Sequence, residues 1–415
     1  MRRRQMRMAI LSTVVGTVSA LARVGAAQPA VPAIDEATFI AEIEAKDPRV
    51  AIAAAKVTAA RADVTAARVR PNPSISIERE EPYVDGSGIP TNYLRLSVPI
   101  DISGKRGRQI EAAEMGVRAV TSDVMQSKHE GFIAALRGFD DCARARMHVE
   151  ILITARASLV RAVEIARQRG KAGDASGYEI QRFELELAGH DDDLTTAQIE
   201  LRRARTQLAA LVGRSGELDA TTALELPASV PTVEALLAKS NDRGDLRAAR
   251  LRGEAATRRV GAASRGWVPM PTLMAGAMTA DLGDQTGTGY VAGVTLSIPI
   301  FDRGQGDRAH AIADRHVADA EARWLERQVP TAVQLAHDTL VARVDQARRL
   351  TSGQLDRLDV ILRAAETSFR EGKASVVELL DAHRAARAVR MRSIDLRHQV
   401  ARDKRDLELA VGQRL

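Results

Sequence analysis

The run His190-Asp191-Asp192-Asp193 sets an imidazole beside three carboxylates, a composition suited to a divalent cation. The spacing works against it. On a helix only residues three or four apart share a face, so these four consecutive side chains cannot close on one ion. A solvent-facing helix segment is the expectation. Cys142 is the single cysteine, which leaves no disulfide partner and no Cys-rich metal site; an inert place in a helix interface is expected for it. The glycines of Gly287-Thr288-Gly289-Tyr290-Val291-Ala292-Gly293 are spaced like a dinucleotide loop. That segment precedes a strand, whereas such a loop must follow a strand and open a helix. The sequence holds no HExxH, P-loop or nucleophile elbow. No enzyme and no cofactor are expected. Twelve aromatic residues and no Lys/Arg-rich block offer no stacking platform for nucleic acid.

Two short segments carry a different chemistry. Gly173-Asp174-Ala175-Ser176 and Gly372-Lys373-Ala374-Ser375 each begin with the residue that best adopts the left-handed turn ending a helix. Each ends with a hydroxyl suited to capping the next helix. Asp174, Glu366 and Glu371 place carboxylates at or near these turns.

The elements that position the turns are written twice. Pro71-Asn72-Pro73-Ser74 answers Pro269-Met270-Pro271-Thr272 at an offset of 198. Leu96-Ser97-Val98-Pro99-Ile100-Asp101 answers Leu296-Ser297-Ile298-Pro299-Ile300-Phe301 at 200, the two Gly turns correspond at 199, and Val212-Gly213 answers Val411-Gly412 at 199. Asp47-Pro48-Arg49 also answers Asp245-Leu246-Arg247 at 198. Such a period is the signature of duplication. The division expected is 28–213 for the first repeat, 214–242 for a Pro-containing linker or equatorial segment, and 243–415 for the second repeat.

Each repeat reads as helix, strand pair, long helix, tight turn, helix. Ile180, Phe183, Leu187, His190, Leu194, Ala197, Leu201, Ala204, Leu208 and Leu211 follow 3-4 spacing with one polar exception, and eight of the ten positions 199 residues on are apolar. A stripe of this kind means helices packed side by side in coiled-coil fashion. Residues 104–173 would span about 100 Å as helix, while 175–212 and 46–70 would span about 55 and 37 Å. The two shorter helices therefore stack end to end beside the long one. Gly131 and Pro330 correspond at 199 and are both helix weakeners, so a bend is expected at their level.

Between the helices the period switches to two. Leu94, Leu96, Val98 and Ile100 alternate with small or polar residues, as do Tyr290, Ala292, Val294, Leu296, Ile298 and Ile300. Their partners are 74–80 and 272–279. Segments of about ten residues, apolar on one face only, suit the lipid-facing strands of an outer-membrane barrel. Tyr93, Tyr290, Phe301 and Trp267 would form its interfacial belt. Two separate hairpins per chain cannot close a barrel, because lipid does not tolerate open strand edges. Four strands per chain then imply oligomerisation, with three chains giving twelve strands.

The ends of the chain fit an exported protein. Residues 1–27 contain Arg2, Arg3, Arg4 and Arg7, then a mostly apolar stretch over 9–22, then Gly25-Ala26-Ala27. This is the pattern of a cleaved secretory signal peptide. The chain carries 60 basic and 54 acidic residues, a formal net charge of +6. With Arg23, five arginines and no acidic residue fall in the signal segment, so the mature chain is close to neutral.

The duplicated layout, the Pro-terminated strand pairs and the Gly-x-Ala-Ser turns resemble the TolC-like outer membrane factors of Gram-negative bacteria. Val98-Pro99-Ile100-Asp101-Ile102-Ser103-Gly104-Lys105-Arg106 and Ile298-Pro299-Ile300-Phe301-Asp302-Arg303-Gly304-Gln305-Gly306 resemble the branch serving cobalt–zinc–cadmium and other heavy-metal efflux pumps. The resemblance implies a mainly α fold with a small β part. It implies a homotrimer whose 12-stranded β-barrel, four strands per chain, sits in outer-membrane lipid above a long α-barrel crossing the periplasm. Its partners would be a periplasmic membrane-fusion adaptor and a proton-driven inner-membrane transporter of the resistance-nodulation-division (RND) class. The channel itself would be a passive conduit with no high-affinity metal site. Without the N-terminal lipid-bearing cysteine of some relatives, attachment would rest on the barrel. The turns at Gly173, Ala175, Ser176 and at Gly372, Ala374, Ser375 would lie at the periplasmic tip and receive the adaptor. Glu366, Glu371 and Asp174 would ring the entrance in threes, with Glu366 preferred. A general drug channel or type I protein-secretion channel is the alternative, and a periplasmic coiled-coil adaptor a further one.

Overall fold

The computed structural model describes residues 31–46, 49–84, 87–173 and 175–415. The signal segment 1–27, Asp47-Pro48 of the repeat landmark and the turn residue Asp174 lie outside the described residues. In chain order the elements are β1 (Ala33–Ile34), α1 (Glu36–Lys46), α2 (Arg49–Arg68), β2 (Ser74–Glu80), β3 (Tyr83–Val84), β4 (Ser87–Gly88), β5 (Thr91–Pro99), α3 (Lys105–Ala172) and α4 (Gly177–Leu211). Then follow β6 (Asp219–Ala220), α5 (Val233–Ser240), α6 (Gly244–Ala263), β7 (Thr272–Asp281), β8 (Thr286–Thr295), α7 (Gln305–Leu350), a π-helical turn (Thr351–Leu355), α8 (Asp356–Arg370) and α9 (Val376–Val411).

The long helix α3 has 68 residues, about 100 Å at the usual helical rise. It packs against α2 and α4 of its own repeat and against α6 and α9 of the other. In the second repeat α7 packs on α6 and α9, and α8 packs on α9. The stripe on α4 is buried or half-buried from Ile180 to Leu208, with Phe183, Leu201 and Leu208 inside; only Leu211 at its end is exposed. The two halves thus form one layered helical wall.

Four phenylalanines pair inside the wall. Phe39 of α1 meets Phe139 of α3 with ring centroids 5.2 Å apart, inside a cluster containing Leu136, Leu208 and Leu218. Phe183 of α4 meets Phe369 of α8 edge-on at 5.5 Å, in a second cluster near the glycine turns. Aromatic pairs of this geometry stabilise by about 0.5–1.5 kcal/mol beyond the area they bury.

The four long strands form one antiparallel sheet in the order β2-β5-β7-β8. The two hairpins are therefore joined, since β5 pairs with β7 from Thr91↔Ala280 to Pro99↔Thr272. Within the chain, β2 and β8 remain as the sheet's edges. The alternation beyond Thr295 is not strand: β7 begins at Thr272, behind Pro269 and Pro271, so Leu296, Ile298 and Ile300 find no ladder partner. One aromatic assignment is also corrected. Tyr93 shares its face with Arg95, whose guanidinium carbon lies 4.2 Å from its ring centroid, and this is the face opposite Leu94, Leu96 and Val98.

Helical structure runs without a break through Gly131 and Pro330. At Gly131 a Cβ would collide with the Arg49 guanidinium, so close packing of α2 on α3 accounts for that glycine. α7 gives way to the π-turn Thr351–Leu355. Between the repeats, a parallel pair joins β1 to β6 with Ala33↔Asp219 and Ile34↔Ala220. This pairing draws residues 31–36 onto the segment that follows α4.

Candidate functional site

Both glycine turns lie at the end of the wall farthest from the sheet, and they are built alike. Gly173 closes α3 at φ 89° and Gly372 follows α8 at φ 76°. These are left-handed conformations that a side chain resists. After each turn a serine opens the next helix with a reciprocal capping box. Ser176 Oγ accepts from Glu179 N at 3.3 Å, and Glu179 Oε2 accepts from Ser176 N at 3.2 Å. Ser375 and Glu378 repeat the pattern at 3.3 and 2.8 Å. Gly173, Ser176, Gly372 and Ser375 are exposed, while Ala175 and Ala374 are half-buried beneath them.

Arg169 ties the two turns together. Its Nη1 donates to the Phe369 carbonyl at 2.9 Å, and its guanidinium carbon lies 4.9 Å from the Phe369 ring. A cation at the end of α8 also complements that helix's dipole. Arg169 was not read from the sequence. The available signal was a basic residue four positions before the helix-ending glycine.

The carboxylates differ in their surroundings. Glu371 is exposed, with Lys373 Nζ 2.8 Å away. Glu366 is half-buried and points into the wall, where its Oε1 accepts from Ser158 Oγ of α3 at 3.2 Å and lies 3.8 Å from His383 Nε2 of α9. With Ser158, Arg161, Glu164 and Arg370 it lines a cavity of about 270 Å3. Glu366 is thus engaged by a serine and a histidine of neighbouring helices, whereas Glu371 stays at the surface.

His190 is buried rather than solvent-facing, because it occupies the apolar stripe of α4. Asp191 leaves that stripe to pair with Arg156 of α3, and Asp193 pairs with Arg387 Nη1 of α9 at 2.6 Å. Asp191 and Asp193 thus join helices, and among the described residues no group of three or more His, Cys, Asp or Glu side chains is arranged to hold a metal ion. Burial holds the His383 and His190 imidazoles below their ordinary pKa. At His383, Glu366 opposes this while His190, Arg161 and Arg390 add to it. At His190, Arg387 reinforces burial while Glu186, Asp193 and Asp191 oppose it. Cys142 lies buried beside Leu218 and Asp219, and burial pushes its thiol up to about 11, which leaves it unreactive near neutrality.

At the opposite end the sheet has two distinct faces. Ile75, Ile77, Leu94, Leu96, Val98, Leu273, Tyr290 and Val294 are exposed on one of them. The other carries Ser76, Glu78, Tyr93, Arg95, Ser97 and Met274, with Arg95 paired to Glu78. Trp267 and Phe301 flank the sheet on its helix side, the latter 91 % exposed. No helix among the described residues is long and apolar enough to cross a membrane. The large unpartnered apolar surface belongs to the strands.

A family model described as outer membrane efflux protein matches residues 39–214 and 237–413. The chain is 25% identical over 367 residues to the cobalt-zinc-cadmium resistance protein CzcC of Cupriavidus metallidurans, an alignment covering 87% of this chain and 86% of that one. It is 29% identical over 284 residues to the nickel and cobalt resistance protein CnrC of the same organism, covering 66% of each. Among solved structures, a crystal structure of CusC superposes with a TM-score of 0.74 at 20% identity, covering 91% of this chain and 92% of the other.

Proposed function

The chain belongs to the outer membrane efflux protein family, and on that premise we propose that three copies form the outer-membrane conduit of a tripartite pump for heavy-metal cations. The observation that carries this reading is the four-stranded sheet, apolar on one face and open at β2 and β8, set on helices long enough to reach deep into the periplasm. Lipid leaves no backbone edge unpaired. Pairing β2 of one chain with β8 of the next satisfies both edges, and three repetitions close twelve strands. The same operation sets three helical walls side by side around a lumen.

Such a conduit supplies no energy. It offers a continuous path, and an inner-membrane transporter drives the cargo. The turns that expose Gly173, Ser176, Gly372 and Ser375 are the surfaces that would meet a periplasmic adaptor, and Arg169 holds them in fixed relation. In a trimer, Glu371 repeats as three carboxylates at the mouth, each beside Lys373, and such a ring favours cations where its carboxylates outweigh those lysines. Glu366 contributes by fixing α8 against α3 and α9. Likeness to CzcC over most of both chains supports cobalt, zinc and cadmium as cargo.

Deletion of the gene, followed by growth in graded zinc, cadmium, cobalt and several antibiotics, tests the reading. Heightened sensitivity to the metals alone is expected, restored by the full-length chain. Sensitivity to antibiotics without any change toward metals would contradict the cargo and favour a drug channel.

A further inference from the structure

Charge is distributed unevenly between the two rims of the sheet. At the turn end, the described residues 78–84, 87–90 and 279–288 carry five carboxylates and one arginine. At the helix end, residues 69–73, 98–108, 264–271 and 296–308 carry seven basic residues against Asp101, Asp302 and Asp307. The helix-side rim is thus basic where the distal rim is acidic.

Four of the cations converge. Arg70, Lys105, Arg106 and Arg265 line a cavity of about 1130 Å3 between the ends of α2 and α6, the end of β5 and the start of α3. Asp101 is the one carboxylate in its wall, and it is engaged by Ser103 N at 2.9 Å and Ser103 Oγ at 2.6 Å. Arg106 Nη1 donates to the Arg68 carbonyl at 3.1 Å, and Arg265 Nη1 to the Gly104 carbonyl at 3.0 Å. These bonds orient the guanidiniums, and Asp101 is the one carboxylate of the wall that attracts Arg106. Arg106 and Arg265 each retain further N–H donors, and a guanidinium fork matches a phosphate. The rest of the wall includes Val69, Val98, Ile100 and Met270. Exposed Ile102 and Trp267 lie beside it in the chain.

We propose that this cavity binds an anionic phospholipid of the periplasmic leaflet, its phosphate held by Arg70, Arg106 and Arg265 and its first methylenes laid along Val98 and Ile100. Basic side chains at a membrane surface attract anionic lipid, and apolar surface beside them accepts the chain. The acidic distal rim disfavours the same lipid there. The site would fix the depth of the barrel at its periplasmic edge. This inference rests on the outer-membrane placement of the sheet.

Native mass spectrometry of the detergent-extracted full-length trimer, titrated with dioleoylphosphatidylglycerol or dioleoylphosphatidylcholine, provides the test. Three phosphatidylglycerols per trimer are expected, retained in preference to phosphatidylcholine. Arg70→Gln, Arg106→Gln and Arg265→Gln should each weaken retention about fivefold, and Arg106→Lys should recover part of it. Trimer yield and helical circular dichroism serve as the folding control, and Arg70→Gln, at an exposed position with no backbone bond to lose, remains informative if Arg106→Gln misfolds. Equal retention of both lipids, unchanged retention in the variants, or displacement by millimolar inorganic phosphate would each overturn the lipid site. Failure to recover any membrane-extracted trimer would overturn the placement itself, a distinguishable result.

Discussion

Arg405 shows how much one side chain can hold in a wall with little conventional core. It is buried, and it donates to Asp140 of α3 at 3.2 Å, to Glu408 at 3.2 Å and to Glu36 of α1 at 2.6 Å. The two fully buried carboxylates near it would be intolerable without it. Even so, burial pushes Asp140 up to about 6, against the pull of Arg405. Arg405→Met should therefore cost about 3–5 kcal/mol, the usual penalty for stranding buried charge, read as a lowered unfolding midpoint of the solubilised protein. The buried histidines give a pH signature. His148, His190 and His383 are all held below the ordinary imidazole value, chiefly by burial. At His148 Arg144 adds to burial, with Asp395 and Glu200 opposing. A depressed folded-state pKa gives stability that is present above the unfolded value, near 6.5, and lost as pH falls toward the folded one. Asp140 acts with the opposite sign, its folded form gaining as pH drops from about 6 toward 4. The histidine effect is thus read between pH 7.5 and 6, where Tm should fall by a few degrees and the slope should flatten in His383→Gln. A Tm independent of pH over that range would contradict it.

At the scale of elements, the tip turns separate two roles that a single substitution confuses. Nothing lies within 4 Å of where a Cβ at Gly173 would stand. Gly173→Ala therefore pays only the left-handed backbone penalty, about 1–2 kcal/mol, and should leave adaptor capture intact. Gly173→Leu adds bulk outward at the same backbone cost, so a loss of adaptor cross-linking in that variant alone would locate docking at the turn. Equal cross-linking in both would sink that assignment. These turns were legible because Gly and Ser act locally, through φ and a cap. The stripes of α4 and α9 were legible because a side-by-side helix shows its period. The joining of β5 to β7 was not, since strand pairing across 180 residues leaves no local mark. The π-turn after Leu350 had only the weak helix formers Thr351, Ser352 and Gly353 to signal it. Tyr93 was misplaced, and the Ser158 and His383 partners of Glu366 were missed, for one reason: only packing decides which way each side chain turns.

For the whole molecule, the helical wall and the sheet meet different solvents. The helical wall is polar outside and thin inside, which suits a tube with water on both sides. The sheet reverses this, placing its apolar side chains outward, and an isolated chain has no means of covering them. Assembly is what makes both ends consistent, because the edges β2 and β8 must be paired for the sheet to stand in lipid. The most direct measurement is oxidative cross-linking in intact cells, with single cysteines scanned along β2 and β8 together in a Cys142→Ala background. The account predicts a covalent species of three chains, recovered from outer membranes only with detergent and formed at one register of the two strands. A monomer at every cysteine pair, released into the soluble periplasmic fraction, would contradict it.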